Sequence, residues 1–154
     1  MNSLEPLMAL LAQTERERDE ALAAQARTEK QYQAAVAQSE QLRAYRKEYE
    51  QRWAAHFKQN CSIEVMHCYQ AFTERLAQAV SHQQRAEEHM AQQRESARAL
   101  VMSYEMRVAS VQKLIERRLN EVRLLADRRE QKLTDEFAAR TQWKPHVSAP
   151  NTTY

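Results

Sequence analysis

The feature that most constrains this chain is the complete absence of glycine from its 154 residues. The three prolines are Pro6, Pro145 and Pro150, so neither helix breaker occurs between positions 6 and 145. Sheets and compact α/β folds need glycine or proline at their tight turns, which this stretch lacks. Ala, Gln, Glu, Arg and Leu fill it instead, and these residues favour helices. The sequence therefore predicts an all-α fold of long helices.

One interruption of the helical pattern is expected near position 60. Asn60, Cys61 and Ser62 are adjacent poor helix formers, and Asn60 or Ser62 can cap a following helix. Charge is also sparse here, because only two charged residues lie between positions 54 and 73. We predict a long two-helix antiparallel coiled coil, an α-helical hairpin with unequal arms. The alternative is one unbroken helix that pairs with a second copy, since no glycine or proline forces a turn.

The expected organisation has five segments. They are an N-terminal segment at 1–6, a first coiled-coil helix at 7–58, a bend at 59–62, a second, longer helix at 63–140 and a disordered tail at 141–154. At a rise of about 1.5 Å per residue, the helices would span about 78 Å and about 117 Å. In an antiparallel pair, the first helix would then end opposite about Leu114 of the second helix.

The second helix carries an apolar stripe typical of coiled coils. Its positions alternate in steps of three and four from Tyr69 to Ala97 and, after one extra four-residue step, from Val101 to Arg129. Seven of the nine positions in the second run are apolar, which indicates an a/d stripe. The first helix has a thinner stripe, with large side chains ten or eleven residues apart at Leu11, Leu22, Tyr32, Leu42 and Trp53.

Apolar side chains continue beyond the point where the first helix ends. They are Ile115, Leu119, Val122, Leu125, Leu133 and Phe137. An uncovered apolar stripe on a helix is typical of a protein-binding surface. Its partner is either a different protein or the same stripe of a second copy.

Composition argues against several classes of function. The 23 basic and 21 acidic residues nearly cancel, so we predict no binding to nucleic acid, which favours a one-sided basic excess. No run approaches the roughly 20 apolar residues of a membrane span, and the N-terminus does not resemble a signal peptide. We therefore expect a cytoplasmic protein without direct membrane insertion. We expect Cys61 and Cys68 to be reduced thiols, because their separation of about 10 Å along a helix is too long for a disulfide.

No catalytic, cofactor or metal site is predicted. His56, Cys61, His67 and Cys68 gather near the bend but lack the spacing that turns two ligands toward one ion. A two-helix fold has no room for a desolvated catalytic pocket, and without glycine it has no phosphate-binding loop. We expect a protein that is not an enzyme. Near the same bend, Tyr69, Phe72 and Leu76 form an apolar set that fits core packing and partner contact equally well.

Three motifs, in order along the chain, resemble the flagellar export protein FliJ family of bacterial type III secretion. They are the Tyr-Arg-Lys-Glu-Tyr run at 45–49, the run at 69–76 followed by Ala79 and Gln83, and the run at 128–132 followed by 135–137 and Arg140. The similarity extends from about Leu11 to Arg140. The tail and the two cysteines lie outside it.

The resemblance implies a coiled-coil stalk similar to the gamma subunit of rotary ATPases. Such a stalk binds the export ATPase FliI at the centre of its hexameric ring and promotes assembly of that ring. Contacts with the export gate protein FlhA and with export chaperones are also implied. So are a position at the inner face of the cell membrane, at the flagellar base, and a role in flagellum assembly and motility.

Carried over by position, the resemblance makes Tyr69, Phe72 and Leu76 contacts with the export gate. Our own hypothesis places the contacts with the ATPase ring at Leu119, Val122, Leu125, Arg129 and Lys132. The equivalent stalk of a virulence-type injectisome and a general coiled-coil scaffold that self-associates remain alternatives. We expect a stalk to be monomeric alone and a scaffold to be dimeric.

Overall fold

Two helices account for nearly all of the structure, a computed structural model that describes residues 4–59 and 62–143. Helix α1 spans Glu5–Phe57 and helix α2 spans Ile63–Gln142, and no strand occurs in the described residues. The helices pack against each other, which confirms the predicted all-α helical hairpin. The alternative of one unbroken helix is wrong, because the chain leaves the helix after Phe57 and folds back.

Helix α1 begins two residues before the expected start at position 7. Pro6 lies in its first turn, where a backbone N–H would have no partner within the helix in any case. The amide of Met8 donates a hydrogen bond to the carbonyl oxygen of Leu4 at 2.9 Å. Proline therefore stands inside α1 and does not mark its boundary.

Helix α2 begins with a serine cap. The Oγ of Ser62 accepts a hydrogen bond from the amide of Val65 at 3.4 Å, and its carbonyl oxygen accepts one from Met66 at 3.2 Å. A serine oxygen at this position satisfies an amide that the first turn of a helix leaves unpaired. Asn60 and Cys61, which complete the expected bend at 59–62, lie outside the described residues.

The end of α2 lies at Gln142, followed by Trp143 in a turn. Near it, the Oγ1 of Thr141 donates to the carbonyl oxygens of Phe137 at 3.1 Å and Ala138 at 2.8 Å. The expected disordered tail at 141–154 thus includes two helical residues at its start. Its positions 144–154 lie outside the described residues.

The chain forms two units. The hairpin unit is Ala12–Val108, and the terminal unit is Met1–Leu11 together with Ala109–Tyr154. In the hairpin unit, pairing is antiparallel, because residues late in α2 meet residues early in α1. Arg107 lies 3.9 Å from Glu17, whereas Arg43 lies 3.9 Å from Glu87, nearer the bend.

The core of the hairpin unit combines small side chains of α1 with large ones of α2. The buried residues of α1 are Thr14, Ala21, Ala35 and Ser39, and those of α2 are Leu76, Val101 and Val108. The expected stripe of large α1 residues is wrong at Leu22, which is exposed. Small residues on one helix let the other approach closely, so the large residues of α2 fill the space between them.

Polar contacts also cross between the helices of the hairpin unit. The Nε2 of Gln83 donates to the carbonyl oxygen of Ala35 and to Oε1 of Gln38, both at 3.3 Å. Glu29 lies 3.7 Å from Arg94 and 3.9 Å from Arg98. A polar group placed within an apolar seam favours one register over its neighbours.

Candidate protein-binding surfaces

Six aromatic side chains meet at the bend end of the hairpin unit. This aromatic cluster consists of Tyr45, Tyr49, Trp53 and Phe57 from α1, with Tyr69 and Phe72 from α2. The four residues of α1 recur at every fourth position and therefore share one face of the helix. The cluster is thus a column of four rings on α1, and the two rings of α2 pack against this column.

Ring contacts hold the two helices together at the aromatic cluster. The ring centroids of Tyr49 and Phe72 are 4.4 Å apart, and those of Tyr69 lie 5.0 Å from Phe57 and 5.3 Å from Trp53. Aromatic pairs at such distances contribute about 0.5–1.5 kcal/mol each beyond their burial. The cluster therefore stabilises this end of the hairpin.

The aromatic cluster is also partly open to solvent. Phe72 is 37% exposed and Tyr45 is exposed, as are Ile63 and Met66 in the first turns of α2. Charged residues of α1 lie between its rings, and two pairs of them bind each other, Arg46 with Glu50 and Arg52 with Glu48. An exposed apolar and aromatic patch of this kind is typical of a surface that binds another protein.

The three residues assigned to the export gate by resemblance do not share one environment. Tyr69 is half-buried and Phe72 is exposed, and both belong to the aromatic cluster. Leu76 is only 7% exposed and lies in the core between the helices. The column at positions 45, 49, 53 and 57 is not among the sequence predictions, although its four-residue spacing is visible in the sequence.

A second surface lies on α2 in the terminal unit. Every residue from Glu116 to Trp143 is exposed, whereas Val111 and Ile115 are half-buried. We give the name distal surface to eight residues of α2, six apolar and two basic: Ile115, Leu119, Val122, Leu125, Leu133, Phe137, Arg129 and Lys132. Leu119 is 50% exposed and Phe137 is 71% exposed. All five residues proposed to contact the ATPase ring are therefore accessible.

The first turns of α1 cover only the beginning of the distal surface. Within the terminal unit, Pro6 and Leu7 line a shallow groove with Leu114, Arg117, Arg118 and Glu121 of α2. The first turn of α1 thus lies beside α2 as far as Glu121, about two helical turns beyond the expected limit at Leu114, although α2 is exposed from Glu116 onward.

Charges of both signs surround the apolar side chains of the distal surface. Between positions 115 and 142 there are seven basic and six acidic residues. Arg118 donates to Glu121 at 3.0 Å, one turn away on the same helix. This surface differs from the aromatic cluster in its apolar residues, which are mostly aliphatic and are spread along a single helix.

A comparison with protein families decides to which family the chain belongs. The family described as flagellar FliJ protein matches residues 2–146. The chain belongs to the FliJ family. Members of this family are non-catalytic components of flagellar protein export, so the chain is such a component. No curated protein and no solved structure matches it.

Both surfaces of this FliJ-family protein lie within the matched residues. In the part of the chain that the structure describes, no group of histidine, cysteine and carboxylate side chains is arranged to hold a metal ion. Neither described helix has a stretch apolar enough to cross a membrane. Cys68 is a free, exposed thiol. Cys61 lies outside the described residues, so the predicted distance between the two cysteines stays a prediction.

Proposed function

We propose that this FliJ-family protein is a stalk that binds the export ATPase ring through its distal surface and the export gate through its aromatic cluster. The observation that carries the proposal is the unbroken exposure of α2 from Glu116 to Trp143. A helix of this length with apolar residues left in solvent favours a partner protein. The family supplies the setting, which is flagellar export.

The chemistry of the distal surface suits contact with several subunits of a ring. Its apolar residues are spread along α2 and separated by charges, so no single deep anchor dominates. Binding energy concentrates where aromatic or arginine side chains enter fully desolvated pockets. Modest contacts with charges of both signs would let the stalk touch different subunits in turn without locking to one.

The aromatic cluster suits a different kind of contact. Tyrosine and tryptophan are enriched among the residues that contribute most to binding at interfaces. Tyr69 and Phe72 would meet the export gate directly. Leu76, buried in the core, would support the segment of α2 that presents them.

Binding at both surfaces would couple the ATPase to the gate. By stabilising the assembled ring, the stalk would link the state of the ATPase to events at the inner face of the cell membrane. We also propose export chaperones as partners, in line with the resemblance, and a requirement for flagellum assembly and motility. The family match favours this flagellar role over the stalk of an injectisome.

The test adds the purified chain to the export ATPase of the same organism. ATP turnover and hexamer formation, the latter by light scattering, are both expected to increase. Replacing Leu119, Val122 and Leu125 together by alanine should remove most of this increase. The matched control replaces the exposed Met102 and Met106 of the hairpin unit by alanine and should retain it.

Two results would contradict the proposal. One is no change in turnover or assembly on adding a chain whose helical content is verified by circular dichroism. The other is equal loss in the triple variant and in the methionine control, which would mean that the distal surface has no special part.

A further inference from the structure

Four apolar side chains of the distal surface are arranged symmetrically about Ala126. Leu119 and Leu133 lie seven residues before and after it, and Ile115 and Phe137 lie eleven residues before and after it. Seven and eleven residues are close to two and three turns of an α-helix, so all five side chains share one face. Ala126, the two leucines and Phe137 are exposed in the structure, and Ile115 is half-buried.

This symmetry makes the face complementary to itself in one orientation. If a second copy lies antiparallel across a two-fold axis at Ala126, Leu119 meets Leu133 of the partner. In the same arrangement Ile115 meets Phe137 of the partner, and each contact occurs twice. The small side chain of Ala126 lets the two helices approach closely at the axis. Large residues then fill both ends of the contact.

Charges beside the stripe favour the same orientation. Across the two-fold axis, Arg123 faces Asp127 and Glu130 of the partner on the same flank of the helix pair. All three side chains are exposed. In a parallel pair the two-fold axis runs along the helices, so Arg123 would lie on the opposite flank from Asp127 and Glu130 of the partner and these charge pairs would be lost. The apolar symmetry is interrupted four residues on either side of the axis, where Val122 corresponds to Glu130. In the proposed pair the carboxylate of Glu130 reaches Arg123 of the partner.

We propose that two copies of this chain pair antiparallel through α2 residues 115–137, with the two-fold axis at Ala126. The contact is about 34 Å long, or roughly three heptads, so we expect a weak dimer that forms only at high concentration. It covers much of the distal surface, so the second copy and the ATPase ring would compete for it, and at the low concentrations below the dimer midpoint the chain stays monomeric, as expected for a stalk. The inference does not depend on the proposed function, because the experiments use this chain alone.

The first experiment tests orientation by disulfide trapping. In a chain with Cys61→Ser and Cys68→Ser, the variants Leu119→Cys and Leu133→Cys are oxidised separately and as an equal mixture. At about 200 µM protein, the mixture should give mainly the disulfide between the two variants. Each variant alone should give several-fold less, because its own cysteines lie far apart. Met102→Cys, on the hairpin unit, is the matched control and should give little.

The trapping result can overturn the proposal in two ways. If Leu119→Cys alone links as well as the mixture, the pairing is parallel and the proposed axis is wrong. If the mixture links no better than Met102→Cys, the two copies do not meet through this face.

The second experiment tests the charges by light scattering at increasing concentration. The average mass of the unmodified chain should rise from one chain toward two between about 10 µM and 500 µM. Arg123→Glu should raise the midpoint at least about tenfold. An equal mixture with Asp127→Arg/Glu130→Arg should restore it, since opposite charges then meet again.

The matched control for charge is Arg128→Glu, which makes the same change on the opposite face of α2 and should leave the midpoint unchanged. Circular dichroism establishes that each variant keeps its helical content. A mass of one chain up to the highest concentration, or equal weakening by Arg128→Glu and Arg123→Glu, would overturn the proposal.

Discussion

The two units of the chain place residues of similar type in opposite environments. In the hairpin unit, Leu76, Val101 and Val108 of α2 are buried against small residues of α1. In the terminal unit, Leu119 and Leu125 of the same helix remain half exposed or more. The side chains of α2 are therefore buried where α1 packs against them and exposed where it does not. The difference predicts that equal substitutions affect folding in one unit and binding in the other.

The largest expected effect compares two leucines of α2. Leu76→Ala should lower the free energy of unfolding by about 2–4 kcal/mol, because it leaves a cavity between the helices. Leu125→Ala should change it by less than about 0.5 kcal/mol, since that side chain is already in solvent. Urea unfolding followed by circular dichroism measures both. Similar losses in the two variants would mean that the two regions do not differ as described.

An intermediate effect is expected from the two tryptophans. Trp53 contacts Tyr49, Phe57 and Tyr69, so Trp53→Ala should cost about 1.5–3 kcal/mol of stability. Trp143 is 90% exposed, and Trp143→Ala should be within about 0.5 kcal/mol of the unmodified chain. Thermal unfolding of both variants makes the comparison. If Trp53→Ala proves neutral, the aromatic cluster does not stabilise the bend end of the hairpin.

The smallest effect concerns ion pairs. Glu29→Gln weakens contacts of α1 with Arg94 and Arg98 of α2, and it should cost about 0.3–1 kcal/mol at low salt. Glu121→Gln removes only the pair with Arg118 on its own helix, and its cost should be smaller. Both differences should shrink in 1 M salt, where the Debye length is about 3 Å. A cost of Glu29→Gln that persists at high salt would show that it does not arise from charge.

Much of the fold follows from composition and spacing alone. The absence of glycine between two distant prolines predicts long helices, and the poor helix formers near Ser62 predict where the chain turns. The three-and-four spacing identifies the face of α2 that carries its apolar residues. These features are local, so each can be assigned without knowing what lies opposite in space.

The tertiary structure decided which of those residues are core and which are surface. The spacing of apolar residues gives no reason to separate Leu76 from Leu119. Leu76 is buried because small residues of α1 pack against it, whereas Leu119 is exposed because α1 is too short to cover it. The same reason explains Leu22, whose size suggested core although Ala21 beside it is the buried residue. Burial depends on the shape that the opposite helix presents, and periodicity along one helix does not contain that shape.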